Sequence, residues 1–266
     1  MRYNNIIKNT VLAVVLCLGT MIACSDDSSG FSYADGGSGI GGSMARFTIN
    51  GDYMYTVDQT TLKTFDLSTA GKPKYLERKD QYMEFGIETI FTMDTLLFIG
   101  SQDGMYIYNI TRPPEFPQQM SMTRHIRSCD PVVAQGKYAY VTLNSENTWC
   151  GNSSNQLEIF NIEDPYNPKL VRTETGFKHP RGGLGGVDKN KLFICDDGIK
   201  LYDVTDPEKP KWIDDFTHIP EAVNADAYDV IPLNGLLLVT GANGLYQFDY
   251  SGDKLAFVSK IEINRE

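Results

Sequence analysis

Acidic side chains that could take part in catalysis occur at long intervals in this chain. Glu88, Asp130 and Asp229 each lie at the start of an apolar segment, and Arg46 and Arg181 hold similar positions in two other segments. A pair of carboxylates, one acting as an acid and the other as a base or nucleophile, is the machinery of most glycoside hydrolases. Alternatively, these carboxylates cap backbone amides or pair with the arginines, which would make their role structural.

The histidines and glycines predict no specific site. His125, His179 and His218 fall in three separate connections and lack the short spacing of a zinc motif. The sequence contains no segment resembling a calcium loop, a phosphate-binding loop or a nucleophile elbow. We therefore predict no bound metal and no cofactor. The sequence motifs by themselves do not identify a catalysed reaction.

A repeated cassette positions the candidate residues. Its clearest copy runs from Gly198 to Pro210 and combines a β-type segment with an Asp-Pro turn. An aromatic residue followed by Asp or Asn marks the copies, at Phe65-Asp66, Tyr108-Asn109, Phe160-Asn161, Tyr202-Asp203 and Phe248-Asp249. The copies are separated by roughly 42 to 52 residues, a period typical of propeller blades.

Each copy predicts one blade of four antiparallel strands. The predicted hairpin turns before the third strand are Asp103-Gly104, Asp197-Gly198 and Asn243-Gly244. A proline such as Pro210 opens the outermost strand, where no backbone donor is needed. In the first blade this outermost strand is predicted over Lys74–Arg78. Five blades account for residues 44–266, so the predicted fold is all-β, a five-bladed β-propeller of four-stranded antiparallel blades.

The two faces of such a propeller differ in this sequence. One face takes short, stereotyped turns, and the other takes four irregular segments, at 124–130, 144–156, 176–184 and 217–226. Binding residues concentrate on irregular loops above a rigid scaffold. The predicted ligand site is therefore the channel mouth on this irregular face, formed by Glu88, Asp130, Arg181 and Asp229, with Trp149 as a lid or stacking platform. Alternatively, Trp149 only packs on its neighbours.

The cysteines predict one bridge. Cys129 and Cys150 both fall on the irregular face of blade three, and an exported protein meets an oxidising compartment. A Cys129 to Cys150 disulfide would contribute about 3 kcal/mol, although two free thiols are the alternative. Cys195 lies within a strand and is predicted to be a small core residue.

The N-terminal segment predicts export and a lipid anchor. Residues 1–23 form a signal peptide with Arg2 and Lys8 before a short apolar run. Met21 to Cys24 resembles a bacterial lipobox, so Cys24 is the predicted lipidation site. Residues 24–43 form a flexible, Gly/Ser-rich linker. Within it, Asp26 and Asp27 resemble a signal for display outside the outer membrane; alternatively, they are ordinary solvated linker residues. The membrane is contacted through this lipid alone.

Composition and resemblance lead to a hypothesis about function. The formal charge of −10 disfavours phosphate backbones, so no nucleic-acid partner is predicted. With segments such as Gly86–Phe91 and Ala227–Pro232, the cassettes resemble the LVIVD-repeat β-propeller lipoproteins of Bacteroidetes, which implies fold and location without implying catalytic residues. We expect a non-enzymatic scaffold that binds a glycan or protein. The alternatives are a glycan or lactone hydrolase using the mouth carboxylates, and a structural subunit of an envelope assembly.

Overall fold

The computed structural model describes residues 45–83, 86–112, 115, 117–124, 131–144, 155–178, 180, 184–222 and 225–263, with no side-chain description for residues 79 and 184–186. The predicted signal peptide, linker and lipidation site lie outside these residues. Within them the protein is all-β, and its helical content is two three-residue 3-10 turns, Glu77–Lys79 and Phe216–His218. None of these described helical turns is long or apolar enough to cross a membrane.

The strands form five antiparallel sheets, each following one sequence repeat, which confirms the predicted five-bladed β-propeller. Blade one contains β1 to β5, at Phe47–Asn50, Tyr53–Val57, Thr61–Asp66, Lys74–Tyr75 and Gln81–Tyr82. Blade two contains β6 to β9, at Ile87–Met93, Leu96–Ser101, Gly104–Asn109 and Gln118–Arg124. Blade three contains β10 to β13, at Val132–Gln135, Tyr138–Leu143, Gln156–Asn161 and Lys169–Thr175. Blade four contains β14 to β17, at Leu184–Asp188, Lys191–Cys195, Ile199–Asp203 and Lys211–Asp215. Blade five contains β18 to β21, at Ala227–Leu233, Leu236–Gly241, Gly244–Asp249 and Ala256–Glu262.

One face of the propeller, here called the regular face, is built from the same turn in every blade. Two residues join the first strand to the second, and the first of them has positive φ, at Gly51, Asp94, Gly136, Lys189 and Asn234. The carbonyl of the second turn residue accepts a hydrogen bond at 2.7–2.9 Å from the N–H that follows the third strand, at Leu67, Ile110, Ile162, Val204 and Tyr250. The regular face is therefore formed by the short, repeated turns that the sequence predicts, and backbone hydrogen bonds hold these turns in place.

The Asp-Pro turns also form as predicted. The Lys209 N–H donates to the Asp206 carbonyl at 2.9 Å, and the Glu208 N–H donates to the Asp206 side chain at 3.2 Å. Asp164 makes the equivalent bonds in blade three. The outermost strand then begins directly after a proline, as at Lys211 and Lys169, because this edge position requires no donor from the proline.

Two details of the prediction are wrong. Gly104 is not a turn residue: it is the first residue of β8 and pairs with Ser101, so the turn is Gln102–Asp103. The equivalent holds for Gly244, which pairs with Gly241. In blade one, the outermost strand ends at Tyr75 instead of Arg78, and β5 continues the pairing by lying against Thr61 and Leu62.

Buried apolar clusters fill four of the boundaries between successive blades. They join blades one and two, two and three, three and four, and four and five. Cys195 belongs to the last of these and is fully buried, which confirms its prediction as a core residue. Among the described residues, no comparable cluster joins blade five to blade one.

Candidate functional site

The inner strands of three blades are irregular where they start at the face opposite the regular one, here called the irregular face. The pairing register shifts between Ile87 and Thr89 in blade two. It also shifts between Leu184 and Gly186 in blade four and between Ala227 and Asp229 in blade five. Such bulges re-aim side chains and are over-represented beside active sites. Among the inner strands, the register shifts all lie at the channel mouth on the irregular face, whereas the other shifts in pairing lie between the third and fourth strands of blades two to five.

Glu88 occupies the bulge of blade two. It is half-buried, and its Oε1 accepts a hydrogen bond from Gln102 Nε2 at 3.5 Å. Arg46, from blade one, donates through Nη1 to the carbonyl of Ile87 at 3.4 Å. The structure therefore brings the predicted Arg46 and Glu88 to neighbouring positions at the boundary between blades one and two.

Asp229 follows the bulge of blade five and is also half-buried. Its Oδ1 accepts a hydrogen bond from the Val230 N–H at 2.9 Å, and its carbonyl accepts one from Thr240 Oγ1 at 3.4 Å. Capping the following amide is the structural role that the sequence offers as the alternative to catalysis.

The other predicted site residues lie outside the described part of the chain. These are the ligand candidates Asp130, Trp149 and Arg181, the predicted bridge Cys129 and Cys150, the lipidation site Cys24, and the histidines His125 and His179. Their placement at the mouth, and the bridge, remain predictions.

The structure adds a charged cluster on the irregular face of blade four that sequence reasoning missed. The Asp196 side chain is 1% exposed and pairs with Lys200 Nζ, while its Oδ1 accepts from the Lys178 N–H at 2.9 Å. Lys200 Nζ also lies 4.9 Å from the centre of the Phe177 ring, a cation–π contact that is strongest where water is excluded. A cavity of about 130 Å³ opens here, lined by Lys178, Asp197 and Lys200 among others. Fixed charges of both signs at a small cavity suit a polar ligand.

A second group of polar side chains lies at the end of β17, and one of them, Asp215, lines the same cavity. Asp214, Asp215 and His218 each offer one ligand atom, and these atoms all lie within 4.8 Å of one another. The available sequence signal was the doubling of acids at Asp196-Asp197 and Asp214-Asp215. The sequence prediction uses only Asp197 of these residues, as part of a hairpin turn.

The regular face carries cavities as well. One of about 290 Å³ is lined by Asn109, Thr111 and Arg112 among others, and one of about 260 Å³ lies between the turns at Lys189 and Asn234. Cavity size therefore does not distinguish the two faces. The irregular face is distinguished by the register shifts at the starts of its inner strands and by the ion pair of the buried Asp196 side chain.

Comparison with known proteins supports the fold. No family model and no curated protein matches this chain. Among solved structures, a functionally unknown protein from Desulfotomaculum acetoxidans aligns over 86% of this chain and 70% of its own, at 12% identity and a TM-score of 0.63. The periplasmic gluconolactonase PpgL of Pseudomonas aeruginosa aligns over 80% and 68%, at 14% identity and a TM-score of 0.59.

A computationally designed protein, Ika8, aligns over 81% of this chain at 11% identity and a TM-score of 0.57. The chain spans only 60% of that protein's length. At such low identities these similarities concern the fold alone, a β-propeller. This fold is compatible with a binding scaffold and with a hydrolase, because function depends on the site that a fold carries.

Proposed function

We propose that this protein is a non-enzymatic scaffold that binds a glycan or a partner protein through the irregular face of its propeller. The observation that carries the proposal is the difference between the two faces. Every blade closes the regular face with the same bonded turn, whereas the irregular face combines bulged inner strands with charged side chains. A surface selected for binding departs from the repeat, because folding alone would preserve it.

On this proposal the ligand contacts Glu88, Asp130, Arg181 and Asp229, with Trp149 stacking on it or covering it. Glu88 and Asp229 are half-buried, and each lies in or directly after a bulge of its inner strand. An indole suits both sugar rings and protein surfaces, since it offers a large apolar face and one N–H donor.

The test is a glycan-array and pull-down screen with residues 25–266, followed by titration of the captured ligand. We expect Asp130→Asn and Trp149→Ala each to weaken binding at least about tenfold. Asp206→Asn, in a turn on the regular face, is the matched control and should leave affinity unchanged. Equal weakening by the control, or no effect of either mouth substitution, would place the site elsewhere.

The proposal includes the location predicted from the N-terminus: a lipid on Cys24, display outside the outer membrane through Asp26 and Asp27, and membership of the LVIVD-repeat lipoproteins. Support comes from the lipobox-like segment and the repeated cassettes. Cys24→Ser should release the protein from the membrane fraction, and replacing both aspartates with Ala should protect it from protease added to intact cells. Retention of the serine variant in the membrane would contradict the lipid anchor.

A hydrolase acting on a glycan or lactone is the second candidate. It is favoured by the two carboxylates at bulged inner strands and by the likeness in fold to a gluconolactonase. Turnover of lactones and glycosides by residues 25–266 decides between the two functions. Wild-type turnover that falls at least about a hundredfold in Glu88→Gln and Asp229→Asn would establish the hydrolase, and binding without turnover would support the scaffold.

A further inference from the structure

Two carboxylates and an imidazole lie close together on the irregular face of blade four. Asp214 and Asp215 are the last residues of β17, and His218 ends the 3-10 turn that follows. None of these three residues belongs to the predicted mouth site, and the cluster differs from the shared three-histidine site that the sequence argues against.

Asp214 is the buried member of the cluster. Its side chain is 9% exposed, and its Oδ2 accepts a hydrogen bond from the Leu255 N–H of blade five at 2.9 Å. Its Oδ1 lies 3.3 Å from His218 Nδ1. Burying an ionised carboxylate costs folding free energy unless a cation or several hydrogen-bond donors compensate its charge. The stability of the buried Asp214 therefore depends on the group that faces its Oδ1.

The His218 ring faces oxygen atoms on both sides. Nδ1 faces the Asp214 carboxylate, and Nε2 lies 3.4 Å from the carbonyl of Leu255. A neutral imidazole carries one N–H, so one of its nitrogens must present a lone pair to an oxygen. If Nε2 donates to the carbonyl, the Nδ1 lone pair and Asp214 Oδ1 converge, and this arrangement is stable only with a cation between them.

The distance between these two atoms fits a shared metal ion. Two ligand atoms bound to zinc at its usual bond lengths and tetrahedral angle lie roughly 3.3 Å apart, which is the separation of Asp214 Oδ1 and His218 Nδ1. A proton would also bridge the two atoms, and the experiment below separates these possibilities.

Asp215 offers the third ligand atom, which lies within 4.8 Å of the other two. Its Oδ1 accepts hydrogen bonds from the Thr217 N–H at 2.8 Å and from the Thr217 hydroxyl. Ligating carboxylates are usually held by such outer hydrogen bonds. The cavity of about 130 Å³ touches Asp215 and Thr217, so solvent or a ligand can reach the cluster.

We propose that Asp214, Asp215 and His218 form a zinc site with a coordination position left for water or a ligand. Imidazole favours zinc and its neighbours over calcium and magnesium, which prefer oxygen alone. Three protein ligands with one position open is the arrangement of zinc sites that bind or activate a further molecule. The proposal is independent of the mouth site.

The experiment is titration of chelator-treated, tag-free residues 25–266 with Zn²⁺ by calorimetry, with bound metal counted by elemental analysis. We expect one equivalent to bind, and affinity to fall at least about tenfold in His218→Ala and in Asp215→Asn. His125→Ala is the matched histidine control and should bind as the wild type does.

The Asp215→Asn variant separates loss of a zinc ligand from loss of the fold. Its asparagine side chain can still accept hydrogen bonds from Thr217, so the fold should be preserved, and circular dichroism would verify this. The absence of zinc binding to the wild type would overturn the proposal. Zinc binding that survives both substitutions would place the metal elsewhere, for example at thiols, and would overturn it as well.

Discussion

A single acceptor side chain explains why Asp or Asn recurs after each aromatic residue of the repeat. In every blade its Oδ1 accepts a hydrogen bond at 2.7–2.9 Å from the N–H two residues later, at Asp66, Asn109, Asn161, Asp203 and Asp249. Asp and Asn can both make this turn. Only Asp can be titrated, and the Asp turns therefore give the propeller a sensitivity to acid that the Asn turns lack.

We expect Asp203→Asn to make stability less dependent on pH in the acid range. Hydrogen bonds from the Thr205 hydroxyl and N–H lower the pKa of Asp203 below its ordinary value. A lowered folded pKa means that the stabilisation is complete above the unfolded pKa, about 4, and is lost as pH falls through the folded pKa. Urea unfolding of both proteins at about pH 6 and about pH 3 measures this.

Thr205→Val is the control for the Asp203 prediction. It removes one hydrogen-bond donor to the carboxylate, so the free energy of unfolding should fall less between neutral and acid pH than in the wild type. Identical acid losses for the wild type and Asp203→Asn would contradict the assignment.

Lys189 occupies a position that favours glycine. It has φ 55°, in the turn where blades one and three have Gly51 and Gly136. Its side chain makes an exposed bond from Nζ to Asn234 Oδ1 at 3.4 Å, which contributes little. Left-handed backbone costs an L-residue about 1 kcal/mol, so Lys189→Gly should raise the free energy of unfolding by about 0.5–1 kcal/mol.

The reverse change at the equivalent turn, Gly136→Ala, should lower the free energy of unfolding by a similar amount. Loss of stability in Lys189→Gly would show that the contacts of the lysine contribute more than its left-handed backbone conformation costs.

At the scale of the strands, glycine allows the third and fourth strands of a blade to lie close together. A Cβ on Gly104 would stand 2.4 Å from the Thr123 carbonyl oxygen, and one on Gly244 would stand 2.3 Å from that of Ile261. The obstruction is backbone, which cannot rotate away as a side chain could. These glycines are therefore required by pairing between strands, although the sequence pattern suggests a turn.

Gly104→Ala should lower the free energy of unfolding by about 1–3 kcal/mol, the usual cost of overpacking. Gly252→Ala is the matched control, because no atom lies within 4 Å of a Cβ at that position. It should be neutral or slightly stabilising, since alanine restricts the unfolded chain. Urea denaturation measures both, and equal effects would show that the strands shift to accommodate the methyl group.

At the scale of the whole molecule, the blades are not equally covered. The side of blade five that faces away from blade four presents Ile231, Leu238 and Leu245. The side of blade one that faces away from blade two presents Ile49 and Met54. All five side chains are half-buried. Their neighbours on the opposite side, such as Leu237, are fully buried between blades. Stability should therefore depend on the two sides of blade five unequally.

Leu237→Ala should cost about 2–5 kcal/mol, because it opens a cavity in a packed cluster. Leu238→Ala, one residue away on the other side of the same strand, should cost less than half as much, since its side chain is already partly in water. Equal costs in chemical denaturation would show that another surface covers blade five in solution.

The sequence by itself determined the number of blades, the regular face and the approximate position of each strand. Asp206-Pro207 and the Asp or Asn after each aromatic residue act through bonds to backbone only two or three residues away. Such interactions are encoded locally, so a pattern in the chain is enough to predict them.

Only the tertiary structure decided what meets across blades. The contact of Asp214 with Leu255 joins residues 41 positions apart, and Arg46 reaches the carbonyl of Ile87 in the next blade. The close approach at Gly104 likewise depends on where the fourth strand lies. These arrangements follow from packing between elements distant in sequence, where no local period constrains the partner. For the same reason, the glutamate at a strand start is visible in the sequence, whereas its place in a bulge beside Arg46 is not.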